Sequence, residues 1–280
     1  MKNQQSKILF IIVAILSLCF NTSCLADKGK KAVSNNNSST VYNGRSYKLH
    51  IPNSLQNEKA PLLIALHGGL GNAEFIENAL GMNQVADKKG FAVAYLNGTE
   101  GRLRMMKDKR TWNAGDCCGI AVKENIDDVS YIAGFINEIA KRYPVDTNRI
   151  YLMGHSNGAM MSYRFACEKP NMIAAMVSIS GTLATNNCRN LDGLPILEIH
   201  GEQDTNVPVA GGVGDKSITK VNYRSVEQTG QGVKQAGASF NAKIIPGGGH
   251  AVADLNQAVR ANYGISLAEM VANFFEGKSK

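Results

Sequence analysis

The sequence predicts an α/β fold: one mostly parallel sheet with helices on both faces and no large cap domain. Two observations predict it. Short apolar runs alternate with helix-periodic stretches along most of the chain, as strands and crossover helices do in a parallel sheet. The chain also holds 28 glycines against 7 prolines, which suits tight strand-to-helix turns better than a proline-rich linker. At 280 residues, 44% hydrophobic and 19% charged, it can bury a core and is neither disordered nor a coiled coil. No fixed-period repeat is present, which excludes a solenoid or propeller.

The elements follow in order. Lys2 and Lys7 precede an apolar run from Ile8 to Phe20. A membrane span needs about 20 apolar residues, so this shorter run reads as a secretory leader over residues 1–26, cleaved after Ala26. Cys24 offers a second route, lipid modification, but Asn21, Thr22 and Ser23 fit that signal poorly. Residues 27–40 are polar and low in complexity and form a spacer. The catalytic domain is expected over residues 41–280. Net charge is +7; without the leader, 28 basic residues face 23 acidic ones. Only Arg102–Arg110 clusters positive charge, with no nucleic-acid-binding motif beside it. Neither a nucleic-acid partner nor a stable membrane span is expected.

Pro61–Leu66 reads as a buried strand, Asn72–Lys89 as a helix ended by Gly90, and Phe91–Leu96 as a second strand. Asn97–Asn125 is long and irregular and carries the single tryptophan, Trp112. Ile126–Tyr143 is an amphipathic helix stopped by Pro144. Arg149–Met153, Ile173–Ser180 and Pro195–His200 read as strands, and Asn157–Cys167, Ser217–Gln235 and Ser266–Phe275 as helices. Four cysteines follow the leader: Cys117, Cys118, Cys167 and Cys188. An even count in an exported chain predicts two disulfides. A bond between adjacent cysteines would strain the peptide, so Cys117 and Cys118 are each expected to pair with Cys167 or Cys188. The paired C-x-x-C spacing of a zinc site is absent, and no metal or cofactor is expected.

The chemistry sits where strands end. Gly154-His155-Ser156-Asn157-Gly158 lies between a strand and a helix, the context in which G-x-S-x-G presents a nucleophilic serine. The serine needs a base, and the base needs an acid. In chain order the acid and then the histidine follow the serine. Of the five histidines, His50, His67 and His155 precede Ser156, and His200 precedes the acids of its own loop. That leaves His250, at the end of Pro246-Gly247-Gly248-Gly249. Glu168, Asp192, Glu198, Glu202, Asp204, Asp215 and Glu227 lie between Ser156 and His250. Asp204 is the expected acid, because it follows a strand and Val207-Pro208 can pin its loop. The oxyanion donors should be the N–H groups of Asn157 and Gly69, with Leu70 as the fallback. His67 reads as structural. Trp112 and His155 are placed as substrate-binding residues, Trp112 as a pocket wall, with burial in a small core as its alternative. Gly211–Ser217 resembles a phosphate loop, but Asp215 interrupts it, and no G-x-G-x-x-G follows the first strand.

LHGG, TWNAGDCCG, the long block from Ile126 to Glu168, HGEQDTNVPVAGG and PGGGH together resemble the secreted polyhydroxybutyrate depolymerase/feruloyl esterase-like group of α/β-hydrolases, similar to carbohydrate esterase family 1. The resemblance runs from about Val41 to the C-terminus. It implies an extracellular serine carboxylic ester hydrolase with Ser156, Asp204 and His250 as its triad, and places the loop from Trp112 to Gly119 beside the pocket. Short hydroxyalkanoate, acyl or feruloyl-type esters are the implied substrates, soluble or derived from polyester or polysaccharide. A serine peptidase of the same fold and a non-catalytic binding protein on a hydrolase scaffold are the competing readings.

Overall fold

Alternating burial along the strands builds the sheet. Leu62, Ile64 and Leu66 enter one apolar layer, while Leu63 and Ala65 enter the layer on the opposite side, as successive strand side chains must. The computed structural model describes residues 40–55 and 58–280. The expected leader, Cys24 and all of the spacer but Thr40 lie outside the described residues.

In chain order the elements are β1 (Thr40–Tyr42), β2 (Arg45–His50), β3 (Ala60–Leu66), α1 (Ala73–Leu80), α2 (Met82–Lys89), β4 (Ala92–Leu96), β5 (Thr99–Glu100), β6 (Arg110–Thr111), α3 (Gly119–Lys123), α4 (Asp128–Arg142), β7 (Val145–His155), α5 (Asn157–Glu168), β8 (Ala175–Ile179), β9 (Pro195–Gly201), α6 (Val226–Gln235), β10 (Ser239–Ile245), α7 (Val252–Tyr263) and α8 (Leu267–Phe275). The main sheet has eight strands in the order β1-β2-β4-β3-β7-β8-β9-β10. The pairs β1–β2 and β2–β4 are antiparallel, and all other pairs are parallel. Helices α4, α5 and α6 contribute to one apolar layer, and α1, α2, α7 and α8 to the other. Among the described residues no large cap domain covers the sheet. The expected architecture is therefore present.

Four local expectations differ. Asn97–Asn125, read as irregular, carries β5, β6 and α3. Asn72–Lys89 is two helices, because Gly81 takes a left-handed φ of 68° and ends the first before the second begins. Only Val226–Gln235 of the expected helix Ser217–Gln235 is helical. Ser225 and Gln228 form a capping box that fixes the start there. The cysteine pairing is also corrected. Cys167 of α5 bonds Cys188 across a Cα–Cα distance of 4.6 Å, and Cys117 bonds Cys118. Both possible distant partners of Cys117 and Cys118 are thus taken by each other. The Cys117–Cys118 peptide is cis.

Strands β3, β7, β9 and β10 run parallel, so the segments that follow them gather at one edge of the sheet. Those segments carry Gly69, Ser156, Asp204 and His250.

Candidate active site

Ser156 occupies the single-residue turn between β7 and α5, with φ 54° and ψ −120°. A side chain at positive φ costs roughly 1–3 kcal/mol and persists only where its surroundings impose it. Here they do. A Cβ on Gly154 would collide with the backbone of Gly158, and a Cβ on Gly158 would collide with the carbonyl oxygens of Leu66 and His67. Both flanking glycines are therefore steric requirements of the turn. Ser156 N–H donates to Ile179 O at 2.8 Å, tying the turn to β8.

Ser156 Oγ lies 3.0 Å from His250 Nε2, and His250 Nδ1 lies 2.7 Å from Asp204 Oδ2. The carboxylate can only accept from Nδ1–H, which leaves Nε2 with the lone pair that faces the serine hydroxyl. Asp204 Oδ1 accepts from the N–H groups of Asn206 and Val207 at 2.8 and 2.9 Å, and Val207 is buried. The Asp204 loop is joined to the His250 loop by Gln203 N–H donating to Gly248 O at 2.8 Å. Burial works to raise the Asp204 carboxyl, but hydrogen bonds from His200 and His250 and the charge of His250 hold it well below the usual carboxylate range.

Gly69 stands beside Asn157: a Cβ built on it would lie 3.6 Å from Asn157 Cβ. Leu70 N–H already donates to Arg110 O at 2.8 Å, so the fallback donor is committed elsewhere. The Asn157 side chain is locked to one residue. Its Oδ1 accepts from Trp112 N–H at 2.7 Å and its Nδ2 donates to Trp112 O at 3.0 Å.

Two expected substrate contacts are corrected. The Trp112 indole is fully buried, lies tilted against His67 at 5.1 Å between ring centres and donates from Nε1 to His67 O at 3.0 Å. It is core beneath the site, not a pocket wall, because the loop folds inward where its backbone grips Asn157. His155 is likewise buried, and its Nε2–H donates to the backbone oxygen of His250 at 2.9 Å. It holds the His250 loop from behind. Sequence reasoning passed over two further residues, Glu198 and His200. Both are buried, and His200 touches Asp204. Their period-two spacing at the end of a strand was the signal available.

Two histidines of the site are neutral. His67 Nδ1–H donates to Gly68 O at 2.7 Å and its Nε2 accepts from Gly98 N–H at 3.0 Å. Burial lowers its pKa to about 4, against the pull of the Gly68 carbonyl and with help from Arg110 and Arg45. Burial also lowers His155 to about 4, aided by the charge of His250 and opposed by the bond to its carbonyl. Below pH 6.5 the unfolded chain takes up protons that both folded rings refuse. Stability therefore falls as pH drops from 6.5 to about 4, by up to about 3 kcal/mol per ring. Asp204, held low, adds its own loss only below pH 3.8. Melting temperature should drop steeply between about pH 6.5 and pH 4.5, and less steeply in His155→Gln. A flat profile in the wild-type protein would contradict the buried neutral rings.

Among the described residues no group of three or more His, Cys, Asp or Glu side chains is arranged to hold a metal ion, and no helix is long and apolar enough to cross a membrane.

Comparison with known proteins follows the same outline. The chain is 32% identical over 172 residues to the "Putative esterase NocK" of Nocardia uniformis subsp. tsuyamanensis, covering 60% of this chain and 47% of that one. It is 33% identical over 175 residues to "Feruloyl esterase B" of Piromyces equi, covering 60% of this chain and 31% of that one. It thus spans less than half the length of these two relatives. Its fold matches that of the Bacillus cereus carboxylesterase with a TM-score of 0.58 and 18% identity, over 83% of this chain and 93% of that one. The chain has the α/β-hydrolase fold. A family model described as "Esterase PHB depolymerase" matches residues 45–187, which include Ser156 and precede Asp204 and His250. Since that match spans just over half of the sequence, the chain belongs to the esterase PHB depolymerase family.

Proposed function

We propose that residues 41–280 form the catalytic domain of an exported carboxylic ester hydrolase that works through an acyl-enzyme on Ser156. The observation that carries this reading is the unbroken line of hydrogen bonds from Ser156 Oγ through the His250 ring to Asp204. His250 Nε2 takes the hydroxyl proton as Ser156 Oγ bonds to the ester carbonyl carbon. Asp204 holds the ring in the required tautomer and offsets the charge it gains. The N–H groups of Asn157 and Gly69 stabilise the oxyanion. The imidazolium passes its proton to the leaving alcohol as the ester C–O bond breaks. Water, deprotonated by His250, then attacks the acyl-enzyme and restores the serine. The Cys167–Cys188 bond fits an oxidising compartment.

The substrates are short hydroxyalkanoate, acyl or feruloyl-type esters. A panel of acetyl, feruloyl and 3-hydroxybutyrate esters, each beside its amide, tests the reaction class. Hydrolysis of one or more esters with little action on the amides is expected. Amide cleavage at comparable kcat/KM would favour a peptidase, and no turnover of either would favour a binding protein.

A further inference from the structure

Strand β9 ends in Glu198, Ile199, His200 and Gly201. Alternation puts Glu198 and His200 on one face, and neither side chain has any exposure. A buried carboxylate is costly unless it is paired, and Glu198 takes no part in the ester chemistry above. Its partners explain it. His200 Nδ1 lies 2.9 Å from Glu198 Oε1, and His200 Nε2 lies 2.7 Å from Val207 O and 3.3 Å from Asp204 Oδ2. All of these are acceptors. Beside an ionised Glu198, a ring with a single proton would set one nitrogen lone pair against an oxygen lone pair. Glu198 is itself an acceptor on both oxygens: Tyr163 O–H donates to Oε2 at 2.9 Å, and Gly181 N–H to Oε1 at 3.3 Å. Imidazole is the stronger base of the two and both Glu198 oxygens already accept, so the proton between them is assigned to the imidazole. The result is a buried row of alternating charge, Glu198 negative, His200 positive and Asp204 negative, which runs into His250.

We propose that His200 is a positioning residue, a buried imidazolium with Glu198 as its counter-ion, which fixes the Asp204 carboxylate against His250. The proposal rests on the reading of Ser156, His250 and Asp204 as the triad. Its geometry has two effects. Asp204 Oδ1 is held by two backbone N–H groups, and Oδ2 is shared between two imidazoles. No oxygen is left free to turn the carboxylate away. The His200 charge also keeps Asp204 a weak base, so the proton taken from Ser156 stays on His250. Glu198 cancels that charge, and the three groups together carry the single negative charge of one aspartate. His250 therefore still gains from becoming cationic.

The titratable groups around the His200–Glu198 pair come from several elements, and β8 beside Glu198, with the segment after it, adds only neutral groups, Ser178 and the Gly181 N–H. Glu198 is on β9, Tyr163 on α5, Asp204 and the Val207 carbonyl on the following loop, His250 on the loop after β10, and His155 on β7. Burial disfavours the His200 cation, but the hydrogen bonds it donates to Asp204 and Glu198, the Glu198 charge and the Val207 carbonyl raise its pKa to about 10.

The wild-type protein gives the first test. In nitrogen-15 spectra at pH 8, with His200 assigned through its own backbone, both ring nitrogens should carry protons. One unprotonated ring nitrogen on His200 at that pH would overturn the proposal. Kinetics give the second. Glu198→Gln and His200→Gln should each lower kcat about 10- to 100-fold with little change in KM, as a small misplacement of a reacting group does. In wild type, kcat should fall as pH rises through about 10, where His200 loses its proton. In Glu198→Gln that alkaline fall should move to lower pH, because the cation has lost its counter-ion. A merely structural pair would leave the alkaline limb in place. Wild-type kcat with an unmoved limb in folded Glu198→Gln would overturn the proposal. Ser156→Ala, run beside these, separates the two readings. If it stays active the triad fails; if it is inactive while Glu198→Gln and His200→Gln behave as wild type, only the positioning role fails.

Discussion

Ser156→Ala should lower ester turnover by about 10⁴-fold or more and leave the fold intact. The hydroxyl is the atom that bonds the acyl group, and no neighbour replaces it. Asn157 is committed to Trp112, and Ser180 is buried at the end of β8. The stability cost is small for two reasons. Ser156 is only partly buried and loses one hydrogen bond, to His250, worth about 1 kcal/mol. Alanine suffers the same positive φ as serine, so the turn gains no new strain. Adding His250→Ala or Asp204→Ala to Ser156→Ala should cost little more, because the three groups act as a unit. Steady-state kinetics on a chosen ester, with a melting curve for each variant, checks both halves. A folded Ser156→Ala protein with near wild-type kcat/KM would refute the mechanism.

Trp112→Ala should lower stability by about 3–5 kcal/mol, as loss of a fully buried aromatic ring does. The cavity would open between His67 and Tyr131, whose rings lie 5.1 and 6.4 Å from the indole. The carbonyl of His67 would also lose its donor. For a domain of this size the fall in melting temperature should be on the order of 10 °C. The ratio of kcat/KM between bulky and small esters should stay unchanged, because the indole has no exposed surface for an acyl group to meet. A changed ratio with unchanged melting temperature would restore Trp112 to the pocket wall. Conservative replacement by Phe should recover most of the packing but not the Nε1 hydrogen bond.

What could be read from the sequence was what local sterics and chain order dictate. Gly154 and Gly158 are demanded by backbone contacts at the turn, so the motif marks its own position. The apolar runs of β3, β4, β7, β8 and β9 have few alternatives to a buried parallel sheet. Asp204 and His250 follow from strand ends and the order of acids, and they lie where that order puts them relative to Ser156. Features decided by distant contacts were not legible. The fate of Trp112 depends on Asn157, 45 residues away, gripping its backbone from both sides. His155 faces outward or inward according to where the His250 loop lies, 95 residues on. In the sequence Glu198 is one of seven acids between Ser156 and His250, and His200 precedes the acids of its own loop. Only the fold brings a hydroxyl, a backbone amide and two imidazole nitrogens to that row of charges. The break at Gly81 and the late start of α6 are smaller cases. There a single left-handed residue or a capping box overrides the periodicity of the surrounding sequence. Helix α7 was not legible, because no side-chain cap at Ala251 marks its start.

Covalent capture of Ser156 is the most direct test of the proposed nucleophile. The wild-type protein is treated with a fluorophosphonate, digested, and mapped by mass spectrometry, with residual ester hydrolysis followed in parallel. The hydrogen-bonded line from Asp204 to Ser156 predicts one adduct, on Ser156, that grows in step with the loss of activity and is absent in Ser156→Ala. Full ester turnover in protein completely modified at Ser156, or inactivation that tracks an adduct at another residue, would contradict it.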